Sequence, residues 1–146
     1  QYMETGRMEM KKILVHIDWC DKNYGAVTDC KELMGVVAVT DKTMLGLKSS
    51  LLESIDFHID GLVNDGEHIP EWLATKNFEI VYDYTLSAIL QESQRFTTLA
   101  AISRATGIKH AQLSHYANAV CRPRPAQRKK VIDGLHSIGQ KCLSLG

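Results

Sequence analysis

Residues 105–130 read "ATGIKHAQLSHYANAVCRPRPAQRKK", a stretch with six Lys and Arg residues, no acid and a single glycine, Gly107. The residues before Gly107 favour helix, and glycine is the residue most often found where a helix ends in a left-handed conformation. The stretch therefore predicts that one helix ends at Gly107 and that a second, basic helix begins just after it.

Apolar residues on both sides of Gly107 have the spacing of two helices packed across a tight turn. They are Ile102, Ile108, Leu113 and Tyr116, and Leu113 and Tyr116 lie three positions apart, so both point inward. The opposite face of the second helix then carries small and hydrogen-bonding side chains, which suit entry into the major groove of DNA. The predicted base-reading residues are Lys109, His110, Ala111, Ser114, His115 and Asn118.

Cations next to this helix pair are predicted to bind DNA phosphates, which positions a protein without reading sequence. The predicted phosphate-binding residues are Arg104, Arg122, Arg124, Arg128, Lys129 and Lys130. The alternative is a helical bundle whose charges are simply solvated. Residues 94–146 hold nine Lys and Arg and one acid, 9 − 1 = +8, and this one-sided charge favours DNA binding because ordinary surfaces mix both signs.

The rest of the chain has the opposite charge. Residues 1–93 hold eight Lys and Arg and sixteen acids, 8 − 16 = −8, so the 146-residue chain is neutral overall. Opposite halves of this kind indicate two functional units. We predict an α+β protein with domains at residues 10–83 and 84–146, and residues 1–9 take no part in the predicted fold.

Strand and helix periodicity give the first domain the order βββαβ. The segment "KILVHIDW" (12–19) alternates as a strand, and β-branched runs at 24–30 and 34–41 complete an antiparallel meander. A long helix follows, with Asp41 or Thr43 as its N-cap and Leu47, Leu51, Ile55, Ile59 and Leu62 at helical spacing. The segment "NFEIVYDY" (77–84) alternates again as a fourth strand.

The second domain is predicted to be all helical. Thr85 lies near the start of "TLSAILQES", and Thr97 or Thr98 is expected to cap "TTLAAISRAT". The segments "KHAQLSHYANAV" and "AQRKKVIDGLHSIGQKCL" complete the domain, the last marked by Val131, Leu135, Ile138 and Leu143.

Residues 85–135, "TLSAILQESQRFTTLAAISRATGIKHAQLSHYANAVCRPRPAQRKKVIDGL", resemble the helix-turn-helix of phage-repressor-like transcription factors. With the βββαβ unit ahead of it, the chain resembles HicB-type antitoxins of bacterial toxin-antitoxin modules. That resemblance implies a partly formed ribonuclease-H-like domain that masks a small, basic, RNA-cleaving HicA-type toxin. It also implies a domain that represses the operon, assembly as dimers or larger oligomers, and no cofactor. The chain departs from the family in "DCKELMG" (29–35), where the usual proline between the second and third strands is absent.

A metal-dependent nuclease is a rival interpretation, because Asp18 ends the first predicted strand where a ribonuclease-H-like enzyme places a metal ligand. Two-metal hydrolysis needs several carboxylates around ions about 4 Å apart. Here Asp56 and Asp60 share a helix face, while Asp29, Asp41 and Asp65 fall in predicted turns. We therefore expect no catalysis and no metal, and structural roles for His16, His58 and His68.

The composition is 45% hydrophobic and 23% charged, without an apolar run long enough to span a membrane. We therefore expect a cytoplasmic protein without a membrane partner. A ligand-responsive repressor, in which the acidic domain senses a small molecule, is the chief alternative to the antitoxin interpretation.

Overall fold

The computed structural model describes residues 10–35 and 37–146, which form an α+β protein. A four-stranded mixed sheet and two helices come first in the chain, followed by four further helices. The first elements are β1 (Lys11–Cys20), β2 (Asn23–Thr28), β3 (Ala38–Asp41), α1 (Met44–Asn64), α2 (Glu71–Ala74) and β4 (Phe78–Tyr84). The later ones are α3 (Leu86–Ser93), α4 (Leu99–Thr106), α5 (His110–Ala117) and α6 (Pro125–Ser144).

The described chain divides into two compact units. Residues 10–17 and 25–83 form the sheet unit, and residues 18–24 and 84–146 form the helical unit. The tip of the β1–β2 hairpin, which the sequence analysis assigned to the first domain, therefore groups with the helices. The reason is local packing: Trp19 contacts the Tyr24 ring edge-on at 4.9 Å, and the Tyr24 hydroxyl donates to Glu92 on α3 at 3.0 Å.

The strand order is β3-β2-β1-β4. Asp21 and Lys22 join β1 to β2 and both have positive φ (52° and 66°), as a two-residue type I′ hairpin turn requires. At the other edge of β1, His16 hydrogen-bonds Asp83 and Asp18 hydrogen-bonds Thr85, each partner 67 positions further along the chain. A constant offset indicates that β4 runs parallel to β1, which makes the sheet mixed.

One face of the sheet packs under α1. The β1 residues Ile13, Val15 and Ile17 are buried on this side, as are the α1 residues Leu47, Leu51, Ile55 and Ile59. The Thr43 hydroxyl accepts from the Gly46 amide at 3.0 Å, so Thr43 is the N-cap, one of the two caps predicted.

A single apolar cluster holds the helical unit together, and α6 lies against α4. Thr85 and Thr98 cap α3 and α4 through their hydroxyls, and Gly107 ends α4 in the left-handed region with φ 76°. These positions confirm the predicted helix boundaries at Thr85 and Gly107. The buried members of the cluster are Leu86, Leu90, Ile102, Ile108, Leu113, Tyr116, Ala117 and Val131.

The structure differs from the sequence prediction at the start of the third strand, at the end of the helix after Gly107 and in the exposure of Leu143. The third strand begins at Ala38 rather than at residue 34, because residues 31–35 form a turn that includes Gly35 at φ 79°; Val36 is outside the described residues. The helix after Gly107 ends at Ala117, because Ala119 adopts a left-handed conformation with φ 58°. Leu143, predicted to lie on the buried stripe of the last helix, is exposed.

Gly134 allows α6 to approach α4. A Cβ at this position would overlap the Thr106 methyl group. The Thr106 side chain is fixed, because its hydroxyl donates to the Ile102 carbonyl at 2.7 Å and accepts from the Ile108 amide at 3.1 Å. The close packing of the two helices thus depends on the missing side chain at Gly134.

We predict that Gly134→Ala lowers the free energy of unfolding, measured by urea denaturation, by about 1–3 kcal/mol because the added methyl overpacks the contact. Thr106→Ser keeps the hydroxyl and removes the methyl, so it should relieve most of that loss in the double variant. Gly139→Ala is the control: it lies on the same helix, an added Cβ there has no atom of the described residues within 4 Å beyond the adjacent helix backbone, and it should stabilise by about 0.5–1 kcal/mol. An equal loss from Gly134→Ala with and without Thr106→Ser would contradict this account.

Candidate nucleic-acid interface

The solvent-facing side of α5 carries most of the residues predicted to read bases. Leu113, Tyr116 and Ala117 are buried in the helical unit and fix the rotation of α5 about its axis. Ser114 is half-buried. The other predicted base-reading residues are exposed: Lys109, His110, Ala111, His115 and Asn118.

Hydrogen bonds across the turn fix α5 relative to α4. The Ser103 hydroxyl donates to the Ile108 carbonyl at 2.6 Å, and the Gly107 amide donates to the Ser103 carbonyl at 2.8 Å. A larger side chain at Ser103 would lose this bond at the point where the two helices meet. The turn is thus held by its own backbone and by one small polar side chain.

Two of the predicted base-reading residues contact each other. Asn118 follows α5 as its C-cap residue, and its Nδ2 donates to the Ser114 carbonyl at 2.9 Å and contacts the Ser114 Oγ at 3.4 Å. Their polar groups therefore have intramolecular partners that a base edge would have to replace. His115 is more exposed to a ligand than Ser114.

The predicted phosphate-binding cations are on the surface to different degrees. Arg104, Arg122, Arg124, Lys129 and Lys130 are exposed, whereas Arg128 is half-buried. Lys129 Nζ lies 2.8 Å from Asp133 Oδ2, one turn further along α6, which offsets part of its charge.

The described helices begin in three different ways. Threonine hydroxyls cap α1, α3 and α4, and α2 begins after Pro70 with Glu71 in its first turn. By contrast, α5 and α6 begin after Lys109 and Arg124 with no side-chain cap and no acid in the first turn, and the first residue of α6 is Pro125, which has no N–H. The N-terminus of a helix has a partial positive charge and unpaired N–H groups, so a cation there is unfavourable unless an anion is present. Both cationic starts therefore favour an anion such as a phosphate. The signal for this feature in the sequence is the lack of Ser, Thr, Asp or Asn directly before these two helices, and it was not among the predictions.

Asp18, the candidate metal ligand in the nuclease interpretation, accepts several hydrogen bonds. Its Oδ1 accepts from the Thr85 hydroxyl at 2.7 Å, the Ser87 hydroxyl at 3.1 Å and the Trp19 amide at 2.7 Å. Partial burial acts to raise the pKa of Asp18, but these hydrogen bonds, with a contribution from Arg122, hold the pKa below its ordinary value. In this arrangement the ionised carboxylate anchors the start of α3.

Among the residues that the structure describes, no group of three or more His, Cys, Asp or Glu side chains is arranged to hold a metal ion. No helix in residues 10–35 and 37–146 is both long and apolar enough to cross a bilayer. A scan of the sequence against protein-family models finds no match, and a search of curated proteins finds none either.

The lowered pKa of Asp18 gives a prediction for stability against pH. Because the folded pKa is below the unfolded one, the carboxylate stabilises the fold above about pH 4, and this contribution is lost as the pH falls through the folded pKa. We expect Asp18→Asn to lower the free energy of unfolding at pH 7 by about 1 kcal/mol. The difference from the wild-type protein should shrink as the pH falls below about 4.

Urea denaturation between pH 2.5 and 7 measures this effect. The control is Asp65→Asn, which changes an exposed carboxylate after the end of α1. If the free energies of unfolding of the wild-type protein and Asp18→Asn differed by the same amount at every pH, the charge of Asp18 would play no part in its contribution to stability.

Proposed function

We propose that this chain is a HicB-type antitoxin and repressor. In this proposal α4 and α5 form a helix-turn-helix with α5 as the recognition helix, and the sheet unit is a partly formed ribonuclease-H-like domain that masks a basic, RNA-cleaving toxin. The chain itself is proposed to have no enzymatic activity and to need no cofactor.

The observation that carries the DNA-binding part is the pair of cationic helix starts at Lys109 and Arg124. Backbone N–H groups without side-chain caps, together with Lys109 before α5 and Arg122 and Arg124 before α6, would bind the phosphates of DNA. The exposed polar side of α5 lies on the first of these two helices, so phosphate contacts would hold that side near the bases. In a dimer, two such helices would read half-sites about 34 Å apart or a multiple of that distance.

Charge supports the masking part. Residues 10–17 and 25–83 hold six Lys and Arg and eleven acids, 6 − 11 = −5. A toxin that binds RNA needs a basic surface, and an acidic domain can compete with RNA for that surface. The resemblance to HicB-type antitoxins implies the same two roles, with one domain that masks a toxin and another that binds DNA.

DNA binding is tested with the duplex that precedes the coding sequence of this chain, by fluorescence anisotropy over a series of salt concentrations. Arg124→Ala should weaken binding to this duplex and to a shuffled duplex equally, and should reduce the salt slope by about 0.9 because one phosphate contact is lost. Lys141→Ala is the matched control. It removes one cation 17 positions further along α6, roughly 26 Å away, and should leave both quantities nearly unchanged.

His115→Ala should act differently from Arg124→Ala. It should narrow the difference in affinity between the two duplexes and leave the salt slope unchanged, because base contacts release few counterions. If His115→Ala and Arg124→Ala had the same effect on both duplexes, the assignment of α5 to the groove would be wrong.

The masking role is tested with the protein encoded in the neighbouring reading frame. We expect a short basic protein that cleaves RNA alone and loses this activity when mixed with an equimolar amount of the full chain. Cleavage of a fluorescently labelled RNA measures it, with bovine serum albumin as the control protein. A neighbour that is acidic, or that cleaves RNA equally well in the mixture, would contradict the antitoxin proposal.

A further inference from the structure

The side of the sheet that faces away from α1 is an exposed surface within the sheet unit. Leu14 and His16 lie on this side, because the residues that alternate with them on β1 are the ones buried under α1. His16 contacts the carboxylates of Asp83 and Asp29, which places the alternating residues of β4 and of the β2 segment on the same side. We call this surface the outer sheet face. Its exposed members are Lys12, His16, Val27, Asp29, Glu79, Val81 and Asp83, and Leu14 is half-buried among them.

The register of the strands determines which of these residues are neighbours. The Asp29 amide donates to the Leu14 carbonyl at 3.2 Å, so Leu14 is opposite Asp29 and His16 is opposite Val27. The offset of 67 positions between the contacts of β1 and β4 places Val81 beside Leu14. Val27 lies diagonally across from Leu14, within reach of a side-chain contact. Leu14, Val27 and Val81 thus form one apolar patch across three strands.

This patch is apolar where the solvent-facing side of a sheet is usually polar. Val27 is 48% exposed and Val81 is 36% exposed, with Leu14 between them. Single exposed apolar residues are common on protein surfaces and need no explanation, whereas adjoining ones are typical of a surface that a partner covers.

Carboxylates surround the apolar patch. Asp29 and Asp83 flank His16, whose Nδ1 lies 3.1 Å from Asp83 Oδ2 and whose Nε2 lies 4.0 Å from Asp29 Oδ2. Glu79 lies two residues before Val81 on β4, and the same 67-position offset places Lys12 beside it. With His16 neutral, the outer sheet face carries one cation and three carboxylates, 1 − 3 = −2.

The charges of the outer sheet face determine which partner fits it. Negative charge disfavours DNA and other phosphates, and it attracts a protein surface that has Lys or Arg around an apolar centre. A second copy bound through the same face would be related by a two-fold axis, which would place the two sets of carboxylates against each other. The charge pattern therefore favours a different, basic protein as the occupant.

We propose that the outer sheet face binds a basic partner protein, whose apolar side chains cover Leu14, Val27 and Val81 and whose cations pair with the surrounding carboxylates. This inference rests on the proposed function for the identity of the partner, which would be the masked toxin. The surface itself is assigned from the adjoining apolar residues and the charges around them.

The surface is tested with a blocked peptide, Arg-Leu-Arg-Leu-Arg, titrated into the ¹³C,¹⁵N-labelled full chain and followed by methyl and amide NMR. We expect the largest shift changes at the methyl groups of Leu14, Val27 and Val81, and no such changes with Glu-Leu-Glu-Leu-Glu. Shift changes centred on α1 would overturn the proposal.

A double variant tests the same surface with the protein encoded in the neighbouring reading frame, by titration calorimetry. Val27→Lys with Glu79→Lys should weaken binding about tenfold or more, because it removes apolar area and reverses a charge. The matched control is Leu52→Lys with Glu53→Lys on α1, which makes similar replacements at exposed positions; Leu52 is 48% exposed, as Val27 is. The control should alter affinity by less than about twofold. Equal losses in the two double variants would contradict the proposal.

Val27→Glu separates the effect of charge from the loss of the apolar side chain or of the fold. It removes the same methyl groups as Val27→Lys but adds a negative charge, so it should bind the arginine peptide about fivefold more tightly than Val27→Lys does. Equal affinities would show that charge complementarity plays no part and would overturn the proposal. So would self-association of the free chain that Val27→Lys with Glu79→Lys abolishes, measured by sedimentation, because the occupant would then be a second copy.

The outcomes also separate this inference from the proposed function. If the neighbouring-frame protein is neutralised as well by the Val27→Lys, Glu79→Lys variant as by wild type, the outer sheet face is the wrong surface and the antitoxin role stands. If that protein is not neutralised at all, yet the arginine peptide shifts the methyl groups of the outer sheet face, the antitoxin role fails and the surface assignment stands.

Discussion

Burial of Leu113 and Tyr116 is the constraint on which the proposed DNA contact depends. These side chains lie three positions apart on α5 and enter the same apolar cluster, so the helix has only one rotation about its axis that satisfies both. The polar residues on the other side of α5 are exposed as a consequence. Gly107 ends α4 and the Ser103 hydroxyl binds the Ile108 carbonyl, so these two residues determine where α5 starts relative to α4. A helix held this firmly presents its polar side chains without a large entropy cost on binding.

Electrostatics at the helix starts adds a second constraint. Threonine hydroxyls cap α1, α3 and α4, and α2 begins after Pro70 with Glu71 in its first turn, so a cation at the start is not a general feature of the described helices. Each of the two cationic starts, those of α5 and α6, gives up the stabilisation of a side-chain cap, typically about 1 kcal/mol. The two helix starts lose stability in the free protein and would regain it when an anion is bound. This difference is the physical reason for proposing a polyanion as the partner.

Local signals were enough to predict much of this fold. Each helix end was predicted from a few neighbouring residues. The hydroxyl caps Thr43, Thr85 and Thr98 and the left-handed Gly107 were all among the predicted positions. Residues 18–24 group with the helical unit, and local signals could not predict this because the grouping depends on Tyr24 and Glu92, which are 68 positions apart. The early end of α5 depends on a left-handed alanine, Ala119, which no alanine propensity would predict. The exposure of Leu143 could not be predicted either, because the apolar periodicity of α6 continues past the point where the helix leaves the apolar core.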